Sequence, residues 1–159
     1  MLQLLLQQVR ASWEAADTFA LNPASTHSLA LFEQQQGVVL PADLRAYFLT
    51  LNGTGEADVF IRFTSLAEFR PLPALLADFP RDFSYHQLLT TLPAPEQVFV
   101  FADYIFFLYA YAIRLSPTPT AQHEVYLLCG GEYQLLSPSF RAFLELYLRD
   151  DQALYFAGE

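Results

Sequence analysis

Carboxylates beside apolar segments and turns are the residues of this sequence best placed to do chemistry. Asp103 ends an apolar run, and Glu56 and Asp58 follow the turn-forming pair Asn52-Gly53. Two carboxyl groups that face each other across a cleft can hydrolyse a glycosidic bond, one as acid and the other as base or nucleophile. The pair Asp150-Asp151, near the end of the last predicted helix, is expected on the solvated surface. A carboxylate enzyme is therefore one hypothesis, and it requires Asp103 to meet Glu56 or Asp58.

The other reactive residue types are scattered. His27, His86 and His123 lie far apart in the sequence and do not have the spacing of metal ligands. Cys129, the single cysteine, has no base near it in sequence and is expected to be a small buried hydrophobic residue. No Gly-x-Ser-x-Gly motif occurs, and the glycine-rich turns lack the lysine of a phosphate-binding loop, since the chain contains no lysine. We therefore predict no catalytic residues, no metal site and no cofactor.

Charge and hydropathy indicate the kind of partner. The 159 residues include 17 acidic and 8 basic side chains, all of the basic ones arginine, for a formal net charge of −9. This balance argues against nucleic-acid binding, which needs a basic surface, and could steer the chain toward a basic protein. No apolar run approaches the roughly 18 residues of a membrane span, and the first residues are interpreted as a helix rather than a signal peptide. The expected location is the reducing cytoplasm.

The first third of the sequence is predicted to be helical. Apolar residues at helical spacing predict an amphipathic helix over residues 2–20. A second helix is predicted to be capped by Thr26 or Ser28 and to end where Gly37 takes a left-handed conformation. A third helix is predicted to begin with Pro41 at its first position.

The remainder predicts an antiparallel sheet with interspersed helices. Bulky alternating residues predict a strand over 57–63, and Ser65–Glu68 has the pattern of a capping box at the start of a short helix. A further helix is predicted near 84–91. The class is therefore α+β: one domain over residues 1–159, with helices packed on a mostly antiparallel sheet and a C-terminal helix. Residues 1–24 are predicted to be a helical extension of it.

Four strands and a closing helix are predicted in the last third. The strands are expected over 98–103, 104–115 and 123–128, with a fourth after the tight turn at Gly130-Gly131, and Ser137 is expected to cap the helix. The segment 104–115 is apolar on both faces. It is expected to be a central strand covered by helices, or a strand whose outer face meets a partner.

The order of these motifs resembles the SUKH superfamily, in its Smi/Knr branch. Three segments carry the resemblance, and together they span roughly residues 27–148. They are Leu31-Phe32-Glu33 with Gly37, Leu40–Leu49 and Asn52-Gly53; Phe63–Phe69; and the C-terminal strands followed by Ser139-Phe140 and Phe143-Leu144.

The resemblance implies a domain without catalytic residues that binds protein. Bacterial relatives are largely immunity proteins, so the first hypothesis is that the chain neutralises a cognate toxin domain, such as a basic nuclease. The alternative is a regulatory or scaffolding module without a toxin, which could act as a homodimer. The surface expected to contact a partner is an acidic and aromatic strip of turns and strand ends: Glu56, Asp58, Asp103, Tyr104, Glu132 and Tyr133.

Overall fold

In the computed structural model, which describes residues 1–120 and 123–156, helices cover both faces of a β-sheet. The α-helices are α1 (Leu2–Glu14), α2 (Thr26–Gln36), α3 (Ala42–Thr50), α4 (Leu72–Leu76), α5 (Leu88–Thr91) and α6 (Phe140–Leu148). The strands are β1 (Ile61–Phe63), β2 (Arg70–Pro71), β3 (Val98–Tyr104), β4 (Tyr109–Arg114), β5 (Val125–Cys129) and β6 (Glu132–Ser137). This confirms the predicted α+β class. Among the described residues, no helix is both long and apolar enough to cross a bilayer.

The sheet is antiparallel throughout, and its strand order is β1-β3-β4-β5-β6. β2 also pairs with β3. β1 and β2 therefore pair with the same edge of β3, β1 near the C-terminal end of that strand and β2 nearer its N-terminal end. The register places Arg62 opposite Asp103 and Tyr104 opposite Tyr109. β6 forms the far edge of the sheet, three strands away from β3.

Both faces of the sheet are covered. The larger core lies beneath α1, α2, α3 and α6, and a smaller core lies beneath α4 and α5. β4 contributes to both cores, because Tyr111 and Ile113 point into the larger one while Ala110 and Ala112 point into the smaller one. A strand buried on both sides needs apolar residues at consecutive positions, which explains the apolar run of this strand. The prediction of a helix-covered central strand is confirmed for residues 109–114.

Buried hydroxyl and indole groups tie the helices of the larger core together and to the sheet. The Trp13 indole N–H of α1 donates to the Tyr147 hydroxyl of α6 at 3.0 Å. The Tyr47 hydroxyl of α3 donates to the Thr64 carbonyl at 2.8 Å. Buried polar groups need such partners. Consequently α1 and α3 are fixed to the rest of the domain by directional bonds as well as by apolar contact.

Several predicted helix caps are displaced by one to three residues. Ser25 caps α2, because its side chain accepts from the Ser28 backbone N–H while the Ser28 hydroxyl accepts from the Ser25 backbone N–H. Pro41 is the cap of α3 rather than its first helical residue. Ser139, not Ser137, caps α6 and accepts from a backbone N–H of its first turn.

Two element lengths and one helix prediction were also wrong. α1 ends at Glu14 rather than near residue 20, and Thr18 follows with a left-handed φ of 64°. β1 is limited to the last three residues of the predicted 57–63. Ser65–Glu68 forms a turn and not a helix, although its capping bond exists: the Ser65 N–H donates to the Glu68 carboxylate at 3.3 Å.

Candidate functional site

The turn between β3 and β4 is a tight, strained hairpin tip. The predicted single strand over 104–115 is wrong, because the chain reverses at residues 105–108. Ile105, Phe106 and Phe107 have φ values of 42°, 49° and 65°, a left-handed conformation that residues other than glycine seldom adopt. Strain of this kind is kept where surrounding contacts enforce it, and it is frequent at binding sites.

Hydrogen bonds from several elements hold the tip conformation, among them one from the Tyr85 hydroxyl to the Phe107 carbonyl at 2.9 Å. The Leu108 N–H donates to the Tyr104 carbonyl at 3.0 Å, and the Ile105 N–H donates to the Phe60 carbonyl at 3.1 Å. The Phe107 N–H donates to the Asp103 carboxylate at 3.2 Å. The tip is therefore held by its own hairpin, by the segment before β1 and by a side chain of β3.

The hairpin tip presents apolar side chains to solvent. Phe106 is 97% exposed, and Ile105 and Leu108 are also exposed. Phe60, 74% exposed, lies beside the tip, with its ring 6.4 Å from that of Tyr104. We call Phe60, Ile105, Phe106 and Leu108 the tip patch. A cluster of exposed large apolar residues is typical of a protein–protein contact surface.

An acidic groove of about 710 Å³ separates the tip from the loop before β1. Phe106 lines one part of it, and the carboxylates of Glu56, Asp58 and Glu68 line others. Arg62 is the one arginine among the lining residues, and it bonds to Glu68 at 2.6 Å. The groove therefore has an excess of negative charge, which favours a cationic ligand or partner.

The loop that carries Glu56 and Asp58 is fixed by backbone contacts. The Thr18 hydroxyl donates to the Glu56 carbonyl at 2.7 Å, and the Asp58 N–H donates to the Asp17 carbonyl at 3.3 Å. These bonds use main-chain atoms of the loop, so both carboxylates stay available to a partner. A charged loop held on a rigid scaffold is a common arrangement for recognition.

The six residues of the predicted partner strip are divided between two parts of the molecule. Glu56 and Asp58 line the groove, and Tyr104 stands at the base of the tip, stacked on Tyr109. Asp103 is 5% exposed and lies in β3 opposite Arg62. Glu132 and Tyr133 lie on β6, about 14 Å from β3 at the usual strand spacing. The first four are brought near one another, and the last two are not.

Sequence reasoning missed the tip patch, above all Phe106 and Leu108. Residues 105–108 are Ile-Phe-Phe-Leu, with none of the Gly, Asn or Pro that marks a turn. One signal was present: the apolar run from 98 to 115 is longer than the 3–10 residues of an ordinary strand. Such a run must contain a turn somewhere.

The geometry bears on the chemical hypotheses. Asp103 does not line the groove with Glu56 and Asp58; it lines a neighbouring cavity, and Arg62 and Glu68 border both spaces. Burial raises the pKa of Cys129, a half-buried thiol, which disfavours the nucleophilic thiolate. In residues 1–120 and 123–156, no group of three or more histidine, cysteine or acidic side chains could hold a metal ion. What the site offers is an exposed apolar patch beside an acidic groove.

Comparison with known proteins identifies the family. The model of the SMI1/KNR4 family (SUKH-1) matches residues 23–146. This match covers more than half of the chain, and the protein therefore belongs to the SMI1/KNR4 family, in agreement with the resemblance found in the sequence. No curated protein matches the chain.

Proposed function

We propose that this protein is a bacterial immunity protein that binds a cognate toxin domain and neutralises it by occlusion, without catalysis, in the cytoplasm. Family membership supports an immunity-type domain. The observation that carries the proposal is Phe106, which is almost fully exposed on a strained turn beside a groove lined by carboxylates. An exposed aromatic anchor beside charged groups is the usual composition of a binding hot spot.

The charge of the chain suits a basic partner such as a nuclease domain. A net charge of −9 attracts a cationic protein over a distance of about 8–10 Å at moderate salt. Glu56 and Asp58 concentrate that charge at the groove. Long-range attraction mainly raises the association rate, whereas the apolar tip patch slows dissociation once the partner is seated.

The test is a titration of the full chain against the toxin domain encoded beside its gene, over a series of salt concentrations. We expect tight binding that abolishes toxin activity. Phe106→Ser should weaken binding at least about tenfold, chiefly through faster dissociation. The double variant Glu56→Gln/Asp58→Asn should slow association and reduce its dependence on salt.

Glu96→Gln is the matched control. Glu96 is exposed and precedes β3, at the end of that strand opposite the hairpin tip. The Glu96→Gln substitution removes one negative charge at a position outside the groove, so toxin binding should stay near that of the wild type. Failure of every neighbouring toxin domain to bind would overturn the immunity function. Tight binding that Phe106→Ser leaves unchanged would overturn the assignment of the surface.

A regulatory module that self-associates is the second candidate, and β6 is the observation that favours it. β6 is an edge strand whose first four residues, Glu132–Leu135, are exposed, including the apolar Tyr133 and Leu135. An uncovered edge of this kind can pair with a second copy. Light scattering tests it: a dimer that Leu135→Lys converts to a monomer supports this function, and a monomeric wild type removes it.

A further inference from the structure

A second cavity, of about 430 Å³, lies behind the hairpin tip on the face of the sheet that α4 and α5 cover. The cavity is lined by Arg62 of β1, by Thr64 just after β1 and by Asp103 of β3. It is also lined by Leu75 of α4 and by Phe79, which follows that helix. Its volume falls within the range of small-ligand sites, about 300–1,000 Å³. Arg62 and Glu68 also line the acidic groove, so the two spaces are neighbours.

Thr64 lines this cavity and has a buried hydroxyl without a hydrogen-bond partner in residues 1–120 and 123–156. Thr64 is 8% exposed, and its hydroxyl oxygen makes no hydrogen bond within the described part of the chain. The Tyr47 bond to this residue goes to its backbone carbonyl and leaves the hydroxyl unused. A buried polar atom left unpaired is costly, and such atoms in native proteins call for a ligand or another specific reason.

Asp103 is the second underused group. Its buried carboxylate accepts one hydrogen bond, from the Phe107 N–H at 3.2 Å. The nearest guanidinium nitrogen, of Arg62, is 3.9 Å away, because that side chain is bonded to Glu68 at 2.6 Å. A carboxylate can accept about four hydrogen bonds, so Asp103 has acceptor capacity beyond the Phe107 N–H and its long ion pair with Arg62.

The charges of the lining select a cation. Three carboxylates line the cavity against two arginines, and each arginine is already in a close ion pair: Arg62 with Glu68, and Arg70 with Asp78 at 2.8 Å. An anion would compete with those carboxylates, whereas a donor-rich cation would meet the free capacity of Asp103 and the unpaired Thr64 hydroxyl. The apolar walls, formed by Leu75, Phe79, Val100 and Phe107, suit an aliphatic stem.

We infer that this cavity receives an arginine side chain of the protein partner, with its guanidinium donating to Asp103 and Thr64 and its stem lying against the apolar walls. Arginine fits better than lysine because its five N–H donors form a planar fork that can serve two acceptors at once. The inference rests on the proposed function for the source of the side chain. In this arrangement the tip patch anchors the partner, and the cavity distinguishes partners that carry an arginine at the matching position.

The experiment uses N-acetyl-arginine methylamide as the probe, followed by amide chemical shifts of the full chain. We expect shifts at Thr64, Asp103 and Phe107, and none with N-acetyl-norleucine methylamide, which has a similar stem and no charge. Asp103→Asn should weaken probe binding about tenfold, as expected for loss of a charged hydrogen bond. Thr64→Val, nearly equal in volume, should weaken it several-fold and serves if Asp103→Asn folds poorly.

Glu96→Gln is the control, because Glu96 is exposed at the other end of β3 and lines neither the cavity nor the groove. Probe binding that depends on Asp103 and Thr64 but not on Glu96 supports the pocket, even if no toxin domain binds the chain. Absence of shifts at these residues, or equal binding by the wild type and Thr64→Val, overturns it. A toxin domain bound with full affinity by Asp103→Asn and Thr64→Val would likewise overturn the pocket while leaving the proposed function standing.

Discussion

The buried carboxylate of Asp103 accepts a hydrogen bond from the Phe107 backbone N–H, 3.2 Å away across the hairpin tip. This one contact joins the two candidate binding spaces, because Asp103 lines the cavity and Phe107 follows Phe106, which lines the groove. The bond caps a turn whose three left-handed residues would otherwise be unfavourable. Occupation of the cavity and the orientation of the tip are therefore expected to influence each other.

Asp103→Asn should stabilise the protein at neutral pH. Burial raises the pKa of Asp103 above its usual value of 3.8, so the folded state holds this proton more tightly than the unfolded state does. Stability therefore falls as pH rises between the unfolded and the folded pKa, and the penalty is fully present above the folded pKa. Asparagine carries no charge and keeps an acceptor for the Phe107 N–H.

Urea unfolding at a series of pH values checks this prediction. The gain of Asp103→Asn over the wild type should be largest at pH 7 and should disappear below the unfolded pKa. Asp58→Asn, at an exposed position, should change stability by less than about 0.5 kcal/mol. A loss of stability at pH 7 would mean that attraction between Asp103 and Arg62 outweighs the effect of burial.

Phe106→Gly should make the protein more stable while weakening partner binding. The residue has a φ of 49° and a side chain that is 97% exposed, so glycine relieves backbone strain without removing buried contacts. The expected gain is about 0.5–1 kcal/mol in the free energy of unfolding. Phe106→Ala retains the Cβ atom and should show no such gain. Equal stabilisation by both variants would locate the effect in the exposed ring and not in the backbone.

Some elements could be predicted because their determinants are local. Gly37 ends α2 with a φ of 66°, as its place after a helical pattern indicated. The buried stripe of α6, with Phe140, Phe143 and Leu144, follows from helical spacing alone. The strand β3 was found from its apolar run and is one residue longer than predicted.

The hairpin tip could not be placed in this way, because its determinants are distant in sequence. Residues 105–108 have no intrinsic preference for a turn, and their conformation depends on the Phe60 carbonyl and the Asp103 carboxylate. The partner strip was divided for a related reason. Glu132 and Tyr104 both lie at strand ends, but only the strand order shows that two other strands separate β3 from β6.

Gly53→Ala should be strongly destabilising. Gly53 has a φ of +93°, and an added Cβ atom would lie 2.8 Å from the Ser65 backbone nitrogen and 2.9 Å from the Thr64 carbonyl carbon. Both neighbours are backbone atoms that cannot move aside cheaply. The combined strain and overlap should cost at least about 2 kcal/mol.

Gly55→Ala is the matched control for that prediction. Gly55 also has a positive φ, of +57°, but within residues 1–120 and 123–156 no atom other than those of its chain neighbours lies within 4 Å of the position that a Cβ would take. Gly55→Ala should lower the free energy of unfolding only by the cost of the backbone conformation, about 1 kcal/mol. Urea midpoints of the two variants separate strain from overlap. Equal losses would show that the segment around Ser65 can move away from Gly53.

Trp13→Ala tests whether α1 is an integral part of the core, since this helix lies outside the residues matched by the family model. Trp13 is fully buried, its ring centroid is 5.1 Å from that of Phe63, and its indole N–H is bonded to Tyr147. Its removal should cost about 3–5 kcal/mol. Leu4→Ala, on the exposed side of the same helix, should cost less than about 0.5 kcal/mol. Similar small losses for both variants would show that α1 is a dispensable extension; the expected contrast would show that the fold requires it.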